Sequence, residues 1–112
     1  MILIDTALAR REAEGRPIRV GMIGAGFMAR GVALQIIQYT QGMRLVAIAN
    51  RTIEKARSAY EGASVPAEQL QFVESVGQLE EAIAAGRPAI TDDALLLCQA
   101  EGIDVIVEIT GA

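Results

Sequence analysis

Apolar positions along this chain fall into two kinds of pattern, short continuous runs and stripes at helical spacing, and the two kinds alternate. Residues 2–14 carry Ile4, Leu8 and Arg11 along one face and end in polar Arg10, Arg11, Glu12 and Glu14 before Gly15 and Pro17, which predicts a helix packed outside a sheet. The run 18–25 is apolar without alternation, as in a parallel strand buried on both faces. Residues 27–41 place Met28, Val32, Ile36 and Tyr39 at helical spacing, with Gly31 expected to mark close backbone packing and Gln41-Gly42 ending the helix. A second buried strand follows over 44–50, and Thr52 is placed to cap a helix running from Ile53 toward Tyr60. Beyond Gly62 the elements shorten: a strand at 71–74, a helix at 78–85 closed by Gly86, a strand at 89–91, a helix capped by Asp92 or Asp93 that ends at Gly102, and a final strand over 104–110.

Such alternation predicts an α/β fold, a parallel sheet joined by right-handed crossovers with helices on both faces. With 112 residues the chain suits one compact domain. Residues 1–17 are read as an N-terminal helix and lead-in, and 18–112 as the domain proper. The sheet is expected to be incomplete on its C-terminal side, because the chain stops at Ala112 where further strands belong, so a longer polypeptide is expected.

Composition removes several chemistries. The net charge is −4 and the ten basic residues are scattered, so no nucleic-acid surface is expected. No segment approaches the ~20 apolar residues of a membrane span, and Met1-Ile2-Leu3-Ile4-Asp5 has no basic lead, so neither membrane nor secretion is expected and the chain is placed in the cytoplasm. There is no His, and Lys55 and Cys98 are the lone residues of their kinds, so no metal site and no catalytic residue are assigned. Cys98, flanked by leucines, is expected to be a buried hydrophobe rather than a reactive thiol.

The chemistry lies where the first strand meets its helix. Gly24-Ala25-Gly26-Phe27-Met28-Ala29 spells G-x-G-x-x-A after an apolar strand, which is the dinucleotide-binding turn of a Rossmann-type fold. Gly24 permits the tight turn, and Gly26 lets a pyrophosphate approach the backbone. Ala29 allows close helix packing, and the first helical amides face the anion. Other folds use glycine at a strand-to-helix turn, so the motif acquires meaning from the strands around it.

The end of the second strand bears on which dinucleotide binds. An NAD-preferring fold usually has an acid there for the ribose hydroxyls, and this chain has Asn50-Arg51-Thr52, 26 positions after Gly24. Arg51 offers a planar fork to a 2′-phosphate, Thr52 a hydroxyl, and Lys55 a further charge one turn on, which favours NADP over NAD. The competing reading makes Arg51 and Lys55 solvated charges. At the end of the last strand, Thr110 and Gly111 are candidates to pass beside the nicotinamide, with Gly111 as a simple strand terminator the rival. Glu108 is either a site group or a carboxylate paired structurally.

On these residues the chain resembles the NAD(P)-binding domain of homoserine dehydrogenase-like oxidoreductases, in particular the SAF-domain-containing branch that includes 1-deoxy-D-xylulose 5-phosphate reductoisomerase-like proteins. The stretches that carry the resemblance are 14–26, 89–93 and 103–111, with Asn50-Arg51 matching an NADP-favouring spelling. The resemblance implies an oxidoreductase as the full-length protein, with a downstream region for a small-molecule substrate and for dimerisation, and so a homo-oligomer. The chain by itself is then inactive. Homoserine oxidation and sugar-phosphate reductoisomerisation stay open, as does a sensing or assembly module that binds the dinucleotide without catalysis.

Overall fold

The computed structural model describes residues 2–109, with side chains described from Ala7 onward. Five strands form one parallel sheet: β1 (Ile18–Ile23), β2 (Met43–Ala49), β3 (Gln71–Phe72), β4 (Ala89–Thr91) and β5 (Val105–Glu108), in the order β3-β4-β2-β1-β5. Among the described residues α1 (Ile2–Ala13) precedes β1, and the α-helices α2 (Phe27–Leu34), α3 (Ile53–Gly62), α4 (Val76–Ala84) and α5 (Ala94–Gln99) lie in the connections between strands. The chain leaves β1 toward β2 on one side and returns from β4 to β5 on the other, so β1 stands at the switch point of a Rossmann-type sheet.

The two faces of the sheet bury separate clusters. Val20, Met22, Leu45, Ile48 and Ile90 pack under α2 and α3, while Ala47, Ala49 and Ala89 pack under α4 and α5 with Leu79, Leu96 and Leu97. What α2 and α3 turn inward is mostly alanine, Ala29 and Ala33 from one and Ala56 and Ala59 from the other, all fully buried. Alanine lets backbone approach backbone, and Tyr60 fills the remaining space, donating its hydroxyl hydrogen to the Leu45 carbonyl at 2.9 Å. Burial raises the Tyr60 hydroxyl pKa well above its ordinary value.

Helix α1 docks on the amino-terminal side of β2. Gly42 has φ +84°, and any Cβ there would strike the Leu8 backbone. Glu12 pairs with Arg44 at 2.6 Å and receives the Gly42 amide at 3.3 Å, and the Arg44 guanidinium foremost, then the Gly42 amide, lowers its carboxyl pKa. Arg19 and Asp104 exchange both side-chain and backbone hydrogen bonds, tying the start of β1 to the approach of β5. Among the described residues no helix is long and apolar enough to cross a membrane.

Several expectations are corrected. The predicted helix 27–41 is α-helical only to Leu34 and continues as a π-helix over Gln35–Tyr39, because Thr40 returns its hydroxyl to the Gln35 carbonyl at 2.9 Å and widens the last turn. Its buried stripe is Ala29, Ala33 and Ile36, and Met28 and Tyr39 are both 72% exposed. Gly31 is exposed and no atom lies near its missing Cβ, so it marks no close packing. Cys98 is exposed, because it lies one turn beyond exposed Leu95 on the outer face of α5 while Leu96 and Leu97 face inward. Helix α5 ends at Gln99 rather than Gly102, since the Glu80 carboxylate takes the Glu101 and Gly102 amides at 2.9 Å and pulls the chain off the helix path. Thr52 holds the N-cap position of α3 without a side-chain cap bond. Asp93, not Asp92, caps α5, accepting the Leu95 amide at 3.0 Å.

Candidate dinucleotide-binding site

The carboxyl ends of β1, β2 and β4 open into one cavity of about 580 Å³, within the usual range for small-molecule sites. It is lined by Gly24 from the first turn, by Asn50, Arg51, Thr52 and Lys55 from the second, and by Asp92 from the third. Five of the residues read from the sequence therefore surround one space, although the chain separates Gly24 from Lys55 by a whole helix and strand.

Each glycine of the first turn has its own geometry. Gly24 is buried with φ +111°, where a side chain is strained, and its amide donates to the Ala49 carbonyl at 2.8 Å, locking the turn to β2. Ala25 is buried behind it. Gly26 is exposed, with ordinary extended backbone (φ −77°, ψ −166°), and begins α2 with no atom within 4 Å of where a Cβ would stand. Conformation therefore does not require glycine at 26, and the space beside its missing Cβ is open. Helix α2 has no acid in its first turn to compete for its first amides. Phe27 and Met28 turn outward, 86% and 72% exposed, and their side chains do not line the cavity.

The second turn is braced from within. Asn50 receives the sheet through its amide, which donates to the Thr91 carbonyl at 3.0 Å, and its side-chain amide donates to the Thr52 carbonyl at 2.9 Å. This fixes the loop that presents Arg51 and leaves the Thr52 hydroxyl out of any cap bond. Among the described residues Arg51 and Lys55 form no ion pair, whereas Arg16, Arg19, Arg44 and Arg57 are each held by a carboxylate. Glu54, the one acid of the first turn of α3, is bound to Arg57 at 2.9 Å and so is withdrawn from its two cationic neighbours.

Sequence reasoning missed Asp92 as a site residue, considering it only as a helix cap. The signal was available: Asp92 directly follows a strand, at the edge where open α/β sheets bind ligands, and the same rule singled out Glu108. Glu108 ends β5 in register with Ile23. Thr110 and Gly111 lie outside the described residues.

Comparison with known proteins gives the family of the chain. The shikimate / quinate 5-dehydrogenase family matches residues 7–90, and the chain belongs to that family. Inositol 2-dehydrogenase 4 of Saccharopolyspora erythraea is 34% identical over 99 residues, covering 85% of this chain and 29% of that protein. The chain thus spans 29% of the length of the curated relative it matches. It is an NAD(P)-binding domain of dehydrogenase type, and its cofactor is a nicotinamide dinucleotide.

Proposed function

We propose that this domain holds NADP in preference to NAD and presents it for hydride transfer by a dehydrogenase. One observation carries the reading: Arg51 and Lys55 line the cavity without an ion pair among the described residues, with Asn50 in place of a ribose-binding acid. In this reading the guanidinium of Arg51 meets the 2′-phosphate in a fork, the Thr52 hydroxyl supplies another donor, and Lys55 adds charge from the first turn of α3. The amides at Gly26, Phe27 and Met28 hold the pyrophosphate. Thr110 and Gly111 are proposed to border the nicotinamide.

When bound, the cofactor supplies the hydride; the residues of this chain bind and orient it. Proton transfer is assigned to a substrate region beyond this domain, because the chain has no His and its one Lys sits at the adenosine end. Residues 18–112 are accordingly the cofactor domain, 1–17 its lead-in helix, and the full-length protein a cytoplasmic homo-oligomeric oxidoreductase. For the reaction, the stretches 89–93 and 103–111 favour the homoserine dehydrogenase-like type with its SAF-domain branch, while the names of the related families bring shikimate, quinate and inositol forward as substrates to assay beside homoserine.

The test is a pair of dissociation constants, for NADP and NAD, at fixed ionic strength. A charge-assisted hydrogen bond is worth roughly 1.5–3 kcal/mol, so the chain is expected to prefer NADP by about tenfold to a hundredfold. Arg51→Ala should erase most of that preference, and adding Lys55→Ala the remainder. Equal affinity for NAD and NADP in the unaltered chain would refute the reading.

A further inference from the structure

We infer that Asp92 is a second determinant of cofactor choice, an acid supplied from the neighbouring strand that binds the adenosine ribose diol of NAD and keeps the site open to both dinucleotides. The inference rests on the assignment of this cavity to the adenosine end of the cofactor. Its basis is strand register. Ala49 and Thr91 are direct partners in the parallel pair β2–β4, and the Asn50 amide donates to the Thr91 carbonyl at 3.0 Å. The next residues, Asn50 and Asp92, therefore leave the sheet side by side. The acid missing from the end of β2 reappears one strand over, at the same level, on the wall of the same cavity.

Asp92 has no structural duty that would account for it. Asp93 caps α5, and the Asp93 amide is taken by the Thr91 hydroxyl at 3.2 Å. Among the described residues the Asp92 carboxylate makes neither an ion pair nor a side-chain hydrogen bond, although Arg51 and Lys55 line the same cavity. A carboxylate accepts two hydrogen bonds at once, which matches a vicinal diol. In NADP one of those hydroxyls is a phosphate ester, so the same carboxylate loses a donor and faces a like charge. Asp92 and the Arg51–Lys55 pair thus act in opposite directions on the ratio of the two affinities.

The experiment measures dissociation constants of NAD and NADP for the unaltered chain, Asp92→Asn, Asp92→Ala and Arg51→Ala, with a thermal melt of each. Asp92→Asn is expected to weaken NAD about tenfold and to tighten NADP, widening the ratio by more than tenfold, and Asp92→Ala should act at least as strongly. Raising the salt should shrink the NADP change and leave the NAD change, because only the first is charge repulsion across an open site. NAD affinity unchanged in both Asp92 variants, while Arg51→Ala still lowers NADP affinity, overturns the inference and leaves the phosphate reading intact. The opposite outcome, NAD weakened in the Asp92 variants and NADP untouched in Arg51→Ala, supports the inference and removes the phosphate reading. Binding of neither dinucleotide by the unaltered chain overturns both.

Discussion

Gly24 and Gly26 stand two residues apart in one motif and differ in backbone conformation and exposure, so on the proposed reading substituting each in turn should produce opposite phenotypes. At Gly24 the backbone lies at φ +111°, where an L side chain costs about 1–3 kcal/mol in strain. For a domain of this length each kcal/mol lowers the melting temperature by roughly 4–8 °C. Gly24→Ala is therefore expected to melt roughly 4–24 °C below the unaltered chain. At Gly26 the backbone is extended and no atom lies within 4 Å of the missing Cβ. A branched residue is a poorer N-cap than glycine by about 0.5–1 kcal/mol, but it also restricts the unfolded chain by a similar ~0.4–1 kcal/mol. The two nearly cancel, and Gly26→Val should melt within a few degrees of the unaltered chain. Its Cβ branch, however, occupies the space against the α2 amides. Losing two charge-assisted hydrogen bonds at about 1.5–3 kcal/mol each weakens dinucleotide binding at least about a hundredfold. Titration calorimetry with NADP, beside melts followed by circular dichroism, measures both effects. A folded Gly26→Val chain that binds NADP as before would refute the placement of the pyrophosphate, and a Gly24→Ala chain with an unchanged melt would refute the strain argument.

Two stability predictions concern the scaffold beneath the site. Tyr60→Phe removes the 2.9 Å bond to the Leu45 carbonyl and leaves that buried acceptor unmet, so unfolding in denaturant should show a loss of about 1–2 kcal/mol. Because burial raises the Tyr60 hydroxyl pKa, folded and unfolded chains both keep the proton below its ordinary value of about 10, and above it the unfolded chain releases the proton first. Stability of the unaltered chain should accordingly fall as pH rises beyond about 10, and the Tyr60→Phe chain should lack that component of the fall; parallel slopes would contradict it. Gly42→Ala drives a Cβ into the Leu8 backbone at φ +84°, so α1 must lift from β2 at a cost of at least about 2 kcal/mol. Amide exchange over residues 2–13 should accelerate well before that of β2, and uniform exchange across both would argue that α1 and the sheet open together.

Much of the architecture was legible because its causes are local. Past Arg19 and Arg44 near their starts, β1 and β2 are apolar without alternation, the pattern of a parallel strand covered on both faces. The errors fall where a distant group decides. The helical spacing of Met28, Val32, Ile36 and Tyr39 suggested an inward face, yet the helix seats Ala29, Ala33 and Ile36 on the sheet and turns Met28 and Tyr39 outward. The π-turn at Gln35–Tyr39 has no sequence period of its own. The early end of α5 depends on the Glu80 carboxylate, 21 residues before Glu101 in the chain. Cys98 was misplaced for a different reason: in an unbroken run of apolar residues on a one-and-a-half-turn helix, hydropathy does not say which side faces out.

The same division runs through the site. Gly24 to Met28 and Asn50 to Lys55 are contiguous segments whose chemistry is written in their spacing; Gly24 from the first and Asn50, Arg51, Thr52 and Lys55 from the second line one cavity, while Gly26, Phe27 and Met28 are exposed and do not line it. Asp92 belongs to that cavity only because β4 pairs with β2 in a register that brings Thr91 opposite Ala49. A slip of one residue would carry Asp92 away from the level of Asn50, and nothing in the spacing between the two records which register is chosen. On the proposed reading, cofactor preference is the resultant of two strand ends rather than one: Asn50-Arg51-Thr52 would set the attraction for a phosphate, and the residue that follows β4 would set how much of that attraction survives. A chain that keeps Asn50-Arg51-Thr52 but carries a neutral residue at the level of Asp92 should therefore discriminate against NAD more strongly than this one, with the same motif at the end of β2.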